Sequence, residues 1–209
     1  MQENSPVHDL VISNAQIFDG EKILDGLHSV GIAKDRISFL GPSAPPARKE
    51  IDAAGRFLMP GLIDCHVHLL DMWTALDEAS MEADINGELK TRLHALLGAG
   101  VTTVKSVGDP EDDILRVREL LGARDLAGPT LYTTGAAFAA PGSHPATTVF
   151  GKNPWIRNRC LYKPEAACRL TSKRLQMAKE SKPTQKIDKI SRFSLLLARA
   201  SRIPLTMQR

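Results

Sequence analysis

The 209-residue sequence has no apolar run approaching the roughly eighteen residues that cross a bilayer, so no membrane-spanning helix is expected. Its first residues, with Glu3, His8 and Asp9, lack the basic start and apolar stretch of a secretory signal, and a cytoplasmic protein is expected. Cysteine is scarce: three residues, at 65, 160 and 168, match no zinc-ribbon spacing, and an odd count argues against a disulfide framework. Reduced thiols follow. Histidine stops at His144, and only Glu165, Glu180 and Asp188 are acidic beyond it.

The scarcity of acid is confined to one end of the chain. Residues 1–157 hold 14 Lys/Arg against 21 Asp/Glu, a net −7, whereas 158–209 hold 13 against 3, a net +10. A basic tail of this kind suits an anionic partner, such as nucleic acid or an anionic membrane surface. A tail under no selection would look the same. With 43% apolar and 24% charged residues, the rest has the composition of an ordinary globular protein.

The chain opens with β-branched runs separated by turn residues. Asp9–Gly20 reads as a strand closing in an Asp-Gly turn, and Ser29–Ala33 and Arg36–Leu40 form a hairpin across Lys34-Asp35. Glu50–Asp52 and Arg56–Met59 flank the turn Ala53-Ala54-Gly55. Residues 1–59 are therefore expected to form a small all-β unit. After Pro60-Gly61 the pattern becomes strand and helix in alternation, the mark of a parallel sheet. Leu62–His66, Val101–Val107 and Pro129–Gly135 read as strands, with helices over Gly87–Leu97 and about Asp112–Leu121, the second capped by Asp112 or Asp113. Residues 136–157 read as a long loop. A helix over 164–181 and a strand over 186–190 extend the series to a fourth step.

The chemistry centres on Pro60-Gly61-Leu62-Ile63-Asp64-Cys65-His66-Val67-His68. Histidines two apart on a strand share a face, so His66 and His68 can reach one cation at the carboxyl end of a barrel strand while Cys65 and Val67 face the helices. Alone, a His-x-His pair is a weak signal; the strand that carries it and the β unit before it strengthen it.

Together with Asp9–Ile12, Asp52–Gly55 and Gly98–Val104, this motif resembles the amidohydrolase superfamily, in the branch of imidazolonepropionase-like and Xaa-Pro dipeptidase-like enzymes. Ala140–Pro145 is similar to that branch's loop after the third barrel strand, with Ser143 where a glycine is usual. The resemblance implies an α/β fold: a small β-sandwich-type N-terminal unit, then the first three or four βα units of an incomplete TIM-like barrel over 60–190. The basic segment 191–209 is left outside the fold.

The resemblance also implies hydrolysis of an amide or cyclic amide by a metal-activated water. His66 and His68 would hold one of one or two divalent ions, commonly zinc, and His144 would contact a small amide or dipeptide substrate. The family's lysine from the fourth strand aligns at Ser191, with Lys189 nearby. Its later histidines and general-base aspartate have no counterpart, so no catalytic residue is assigned. A full barrel takes about 250 residues, more than remain after the β unit, and the expected product is a truncated, inactive copy. The loss of resemblance and the charge reversal suggest a reading-frame shift between Asn158 and Ser191; recombination or divergence would look similar. The rival reading is a non-catalytic binding protein that uses the tail. Homo-oligomers are compatible with the family, while membranes and nucleic acid are not expected partners of the amidohydrolase.

The remaining candidates have plainer readings. His8, His28 and His94 lie outside any ligand cluster. Asp109 reads as a rim residue or a turn and helix cap beside Pro110. Trp73 and Trp155 would line a pocket or pack under loops, and Leu195–Leu197 would form a buried or aggregating patch.

Overall fold

A computed structural model describes residues 8–140 and 142–161. They fall into two compact units that divide after Gly61. The helix expected over 164–181, the strand over 186–190, Ser191 and Lys189, Cys168, Leu195–Leu197 and the basic tail all lie outside the described residues.

The first unit is a five-stranded sheet of β1 (Leu10–Ile17), β2 (His28–Ala33), β3 (Arg36–Gly41), β4 (Glu50–Asp52) and β5 (Phe57–Leu58), in order β3-β2-β1-β4 with β5 also on β1. β1 is central because it is apolar on both faces: Val11, Ile12, Ala15 and Ile17 are all buried. It runs antiparallel to β2 and parallel to β4 and β5. A register shift between Ile12 and Ala15 falls at Asn14, whose φ of 53° is a left-handed conformation that asparagine tolerates. Its side-chain amide donates to Asp52 Oδ1 at 3.0 Å, tying the irregularity to β4. In the β2–β3 turn Lys34 is likewise left-handed, and its N–H donates to Asp9 Oδ2 at 2.6 Å. The expected hairpin is present, with a side chain from the start of the unit fixing its turn.

The second unit is a parallel sheet of β6 (Leu62–Val67), β7 (Val101–Ser106) and β8 (Thr130–Thr133), in sequence order. Parallel neighbours need crossovers. α1 (Glu78–Asn86) and α2 (Glu88–Gly98) make the first, α3 (Glu111–Ala123) makes the second, and α4 (Pro154–Cys160) follows β8. The core gathers Leu89 and Leu93 of α2, Val104 of β7, Ile114 and Val117 of α3, Leu131 of β8 and Ile156 of α4. On α2 the helical spacing predicts Leu89, Leu93, Leu96 and Leu97 to face inward, and the first two are fully buried. Leu96 is partly buried, and Leu97 rolls out to 37% exposure.

Four expectations need correction. α1 falls in a stretch that the sequence pattern leaves without a helix. Its buried contribution is only Met81, Asp84 and Ile85, too few apolar positions to register as a stripe, and Asp77 and Ser80 close a reciprocal cap at its start. α4 lies inside the expected loop. Asn153 accepts the Ile156 N–H at 3.2 Å and Pro154 occupies the first turn, where its missing N–H costs nothing. α3 begins at Glu111 behind Pro110 with no side-chain cap, so neither Asp112 nor Asp113 caps it. Asp113 is instead buried and accepts from Arg159 at 2.7 Å. Lastly, Cys65 does not face helices; it is exposed.

The two described cysteines differ sharply in burial. Cys160 is fully buried with its Sγ 3.7 Å from Met72 Sδ, and burial, assisted by the charge of Asp109, pushes its thiol up to about 12. The thiolate is the nucleophile, so an alkylating reagent at mildly alkaline pH should modify Cys65 in the folded chain and spare Cys160. Peptide mass spectrometry reads the result; rapid native labelling of Cys160 would show that α4 does not stay docked.

Candidate metal centre

His66 lies near the end of β6, and His68 is the first residue beyond it. β6 and β7 pair in parallel with Asp64 opposite Val104 and Val67 opposite Ser106, so the register slips between these pairs. Strict alternation fails at the slip. Val67 packs on the core as expected, whereas Cys65 and His66 are both exposed. Asp64 supports the irregular stretch, since its Oδ1 accepts the His66 N–H at 3.0 Å. Further on, Val67 offers its carbonyl to the Val107 N–H at 3.1 Å.

The result keeps His66 and His68 together despite the slip. Their ring centroids lie 5.4 Å apart at an interplanar angle of 84°. Both line a cavity of about 270 Å³ whose wall also includes Met72, Trp73, His144 and Phe150. Trp73 is set by a turn in which Asp71 Oδ1 accepts the N–H groups of Trp73 and Thr74, each at 2.9 Å. Burial alone would raise the Asp71 carboxyl; the Thr74 hydroxyl and these N–H groups outweigh it and hold the pKa below the ordinary value. Trp73 lines the cavity and is 63% exposed among the described residues. Gly108, with φ +79°, turns the chain after β7 at the cavity wall and donates to the Gly135 carbonyl at 3.0 Å.

His144 reaches the same cavity from the loop after β8, with Nδ1 2.6 Å from Thr148 Oγ1. The three histidines singled out in the sequence thus share one cavity, while His94 is exposed on α2 outside it, and His8 and His28 belong to the other unit. Trp155 is partly buried against the core, with the Arg159 guanidinium 4.8 Å over its ring.

Asp109 departs most from the sequence reading. It is neither a rim residue nor a cap: it is fully buried beneath the β6–α1 connection. Its Oδ2 accepts the Leu69 N–H at 3.0 Å and the Ser106 hydroxyl. Burial pushes its carboxyl above the ordinary aspartate value, and the Ser106 hydroxyl, the Leu69 N–H and the nearby charge of His68 act against that rise. Its second oxygen, Oδ1, is buried with no hydrogen-bond partner among the described residues.

A pair of imidazoles on one cavity suits a divalent ion such as zinc, which takes histidine nitrogen readily. Among the described residues no group of three or more His, Cys, Asp or Glu is placed to hold a metal. The two histidines on this cavity are fewer than the three protein ligands usual in a catalytic zinc centre.

Comparison with known proteins decides the family. A model of the amidohydrolase family matches residues 57–196. The chain belongs to the amidohydrolase family. The match takes in His66, His68 and all of the second unit's described elements. Among curated amidohydrolase-like relatives, the imidazolonepropionase of Arthrobacter sp. (strain FB24) is 38% identical over 91 residues, covering 43% of this chain and 21% of the relative. The dihydroorotase of Pyrococcus horikoshii is 33% identical over 150 residues, covering 69% of this chain and 32% of the relative. A crystal structure of a putative prolidase from Bifidobacterium longum superposes with a TM-score of 0.53 at 26% identity, over 67% of this chain and 33% of that one. The amidohydrolase chain thus spans no more than about a third of the length of these relatives.

Proposed function

We propose that this chain carries the first-strand metal half-site of an amidohydrolase that cleaves a carbon–nitrogen bond in a small amide, cyclic amide or dipeptide. The observation that carries the reading is the placement of His66 and His68 on one cavity, in a chain of the amidohydrolase family. A divalent ion, with zinc the expected one, would supply an activated water and a polarised carbonyl there. This chain's own residues would do the rest. His66 and His68 would hold the ion, His144 would contact the substrate from the loop after β8, and Met72, Trp73 and Phe150 give the cavity an apolar lining that limits water. The three parallel strands with their crossovers are read as the opening βα units of a TIM-like barrel, preceded by part of a β-sandwich. No membrane-crossing helix occurs among the described residues, and a cytoplasmic setting is part of the proposal.

We further propose that these 209 residues alone do not turn over substrate, because the described half-site lacks a third ligand and a general base. The purified chain, loaded with zinc, should show no hydrolysis of Xaa-Pro dipeptides or cyclic amides above that of His66→Ala/His68→Ala. Turnover that the double substitution abolishes would show that other residues of the chain, or a second copy, complete the site.

A further inference from the structure

The peptide that follows His68 is gripped at both ends by charged side chains from two other elements. Asp109, in the β7–α3 connection, accepts the Leu69 N–H at 3.0 Å, and Arg92 Nε, on α2, donates to the Leu69 carbonyl at 2.9 Å. Each gripping group is itself anchored. The Ser106 hydroxyl donates to the Asp109 oxygen that Leu69 uses, and the Arg92 guanidinium reaches both Asp84 oxygens at 2.7 and 2.6 Å. Asp84 also accepts the Asp71 N–H at 3.1 Å, which extends the network to the turn that carries Trp73.

Burial makes these bonds matter. Leu69 is 2% exposed, Asp109 0% and Asp84 8%, so water competes poorly and charge-assisted bonds keep their strength. A backbone fixed one residue beyond a ligand limits where that ligand's ring can point. Asp109 Oδ1 adds a second observation. It is buried without a hydrogen-bond partner among the described residues, on the side chain that grips the Leu69 N–H through its other oxygen.

We propose that Asp109 and Arg92 are positioning residues of the histidine half-site: by gripping the N–H and the carbonyl of Leu69 with charge-assisted bonds they set the direction in which His68 presents its ring. The inference rests on the metal half-site reading above. Neither residue touches the ion. Support of this kind changes metal affinity by about 10–100-fold when removed.

The test uses the full chain with Co(II) as probe, reading the dissociation constant by absorption titration and the His68 ring resonances by nitrogen-15 NMR without metal. Asp109→Asn keeps the shape and removes the charge; Arg92→Leu removes the grip on the carbonyl, and Arg92→Lys restores a donor. Arg116→Ala deletes the exposed pair with Glu82 on the same unit and serves as the stability control. Asp109→Asn and Arg92→Leu should each weaken Co(II) about tenfold or more and shift the His68 resonances, with partial recovery in Arg92→Lys and no change in Arg116→Ala. Unchanged affinity and unchanged His68 resonances in Asp109→Asn would overturn the proposal, whether or not Arg92→Leu folds. If the unsubstituted chain binds no Co(II), the half-site reading fails, and the metal-free His68 resonances decide the positioning role alone: shifted in Asp109→Asn they support it, unshifted they overturn it.

Discussion

Leu93→Ala should cost the chain about 2–5 kcal/mol of unfolding free energy, the range for deleting a fully buried leucine. Leu93 is 0% exposed on the inner face of α2, in the cluster that joins α2 to Val104, Ile114 and Leu131. The site is tight. A Cβ placed at Gly128 would come within 3.1 Å of Leu93 Cδ2, so the neighbouring backbone already sits against this side chain. Backbone that is already in contact has little room to fill a cavity, which pushes the loss toward the upper part of the range. Domains are stable by only about 5–15 kcal/mol, so the urea midpoint should fall conspicuously. Leu97→Ala, one turn on and 37% exposed, should stay within about 1 kcal/mol. Equal losses at the two positions would show that α2 does not bury the face assigned to it.

The helical spacing places Leu89, Leu93, Leu96 and Leu97 on one stripe, but it does not foretell that Leu97 ends 37% exposed. Leu89 and Leu93 stand four apart, and both end with no exposure because a helix brings that spacing onto one face. The strands are legible for the same reason: Val11, Ile12 and Val104 are β-branched residues in short runs bounded by turns, and all three are buried. His66 and His68 are visible as a pair, since two residues of spacing return a strand to the same side.

What escapes the sequence depends on contacts that spacing does not encode. Asp109 looks like a turn residue beside Pro110, yet its partner Leu69 lies forty positions away. Arg92 looks like an exposed helix charge, yet it reaches back to Leu69 and Asp84. The slip between Asp64 and Val67 likewise turns Cys65 outward against the expected alternation. α4 is a different case: Asn153-Pro154 is a helix-start signal in plain view, outweighed by the surrounding prolines and glycines.

The pair of histidines carries the functional account, and removing both should abolish metal binding without disturbing the fold. His66 and His68 are exposed, so His66→Ala/His68→Ala should leave stability within about 0.5 kcal/mol of the unsubstituted chain. Metal affinity should instead be lost outright, because nothing else among the described residues gathers enough ligands to replace them. Urea unfolding and Co(II) titration on the same preparations separate the two effects.

The most direct measurement is X-ray absorption at the zinc edge of the loaded chain. The account predicts two imidazole nitrogens at about 2.0–2.1 Å with oxygen completing the shell, and no bound zinc in the double variant. A sulfur shell near about 2.3 Å, which would bring Cys65 or another thiol onto the ion, or an unchanged shell in the double variant, would contradict it.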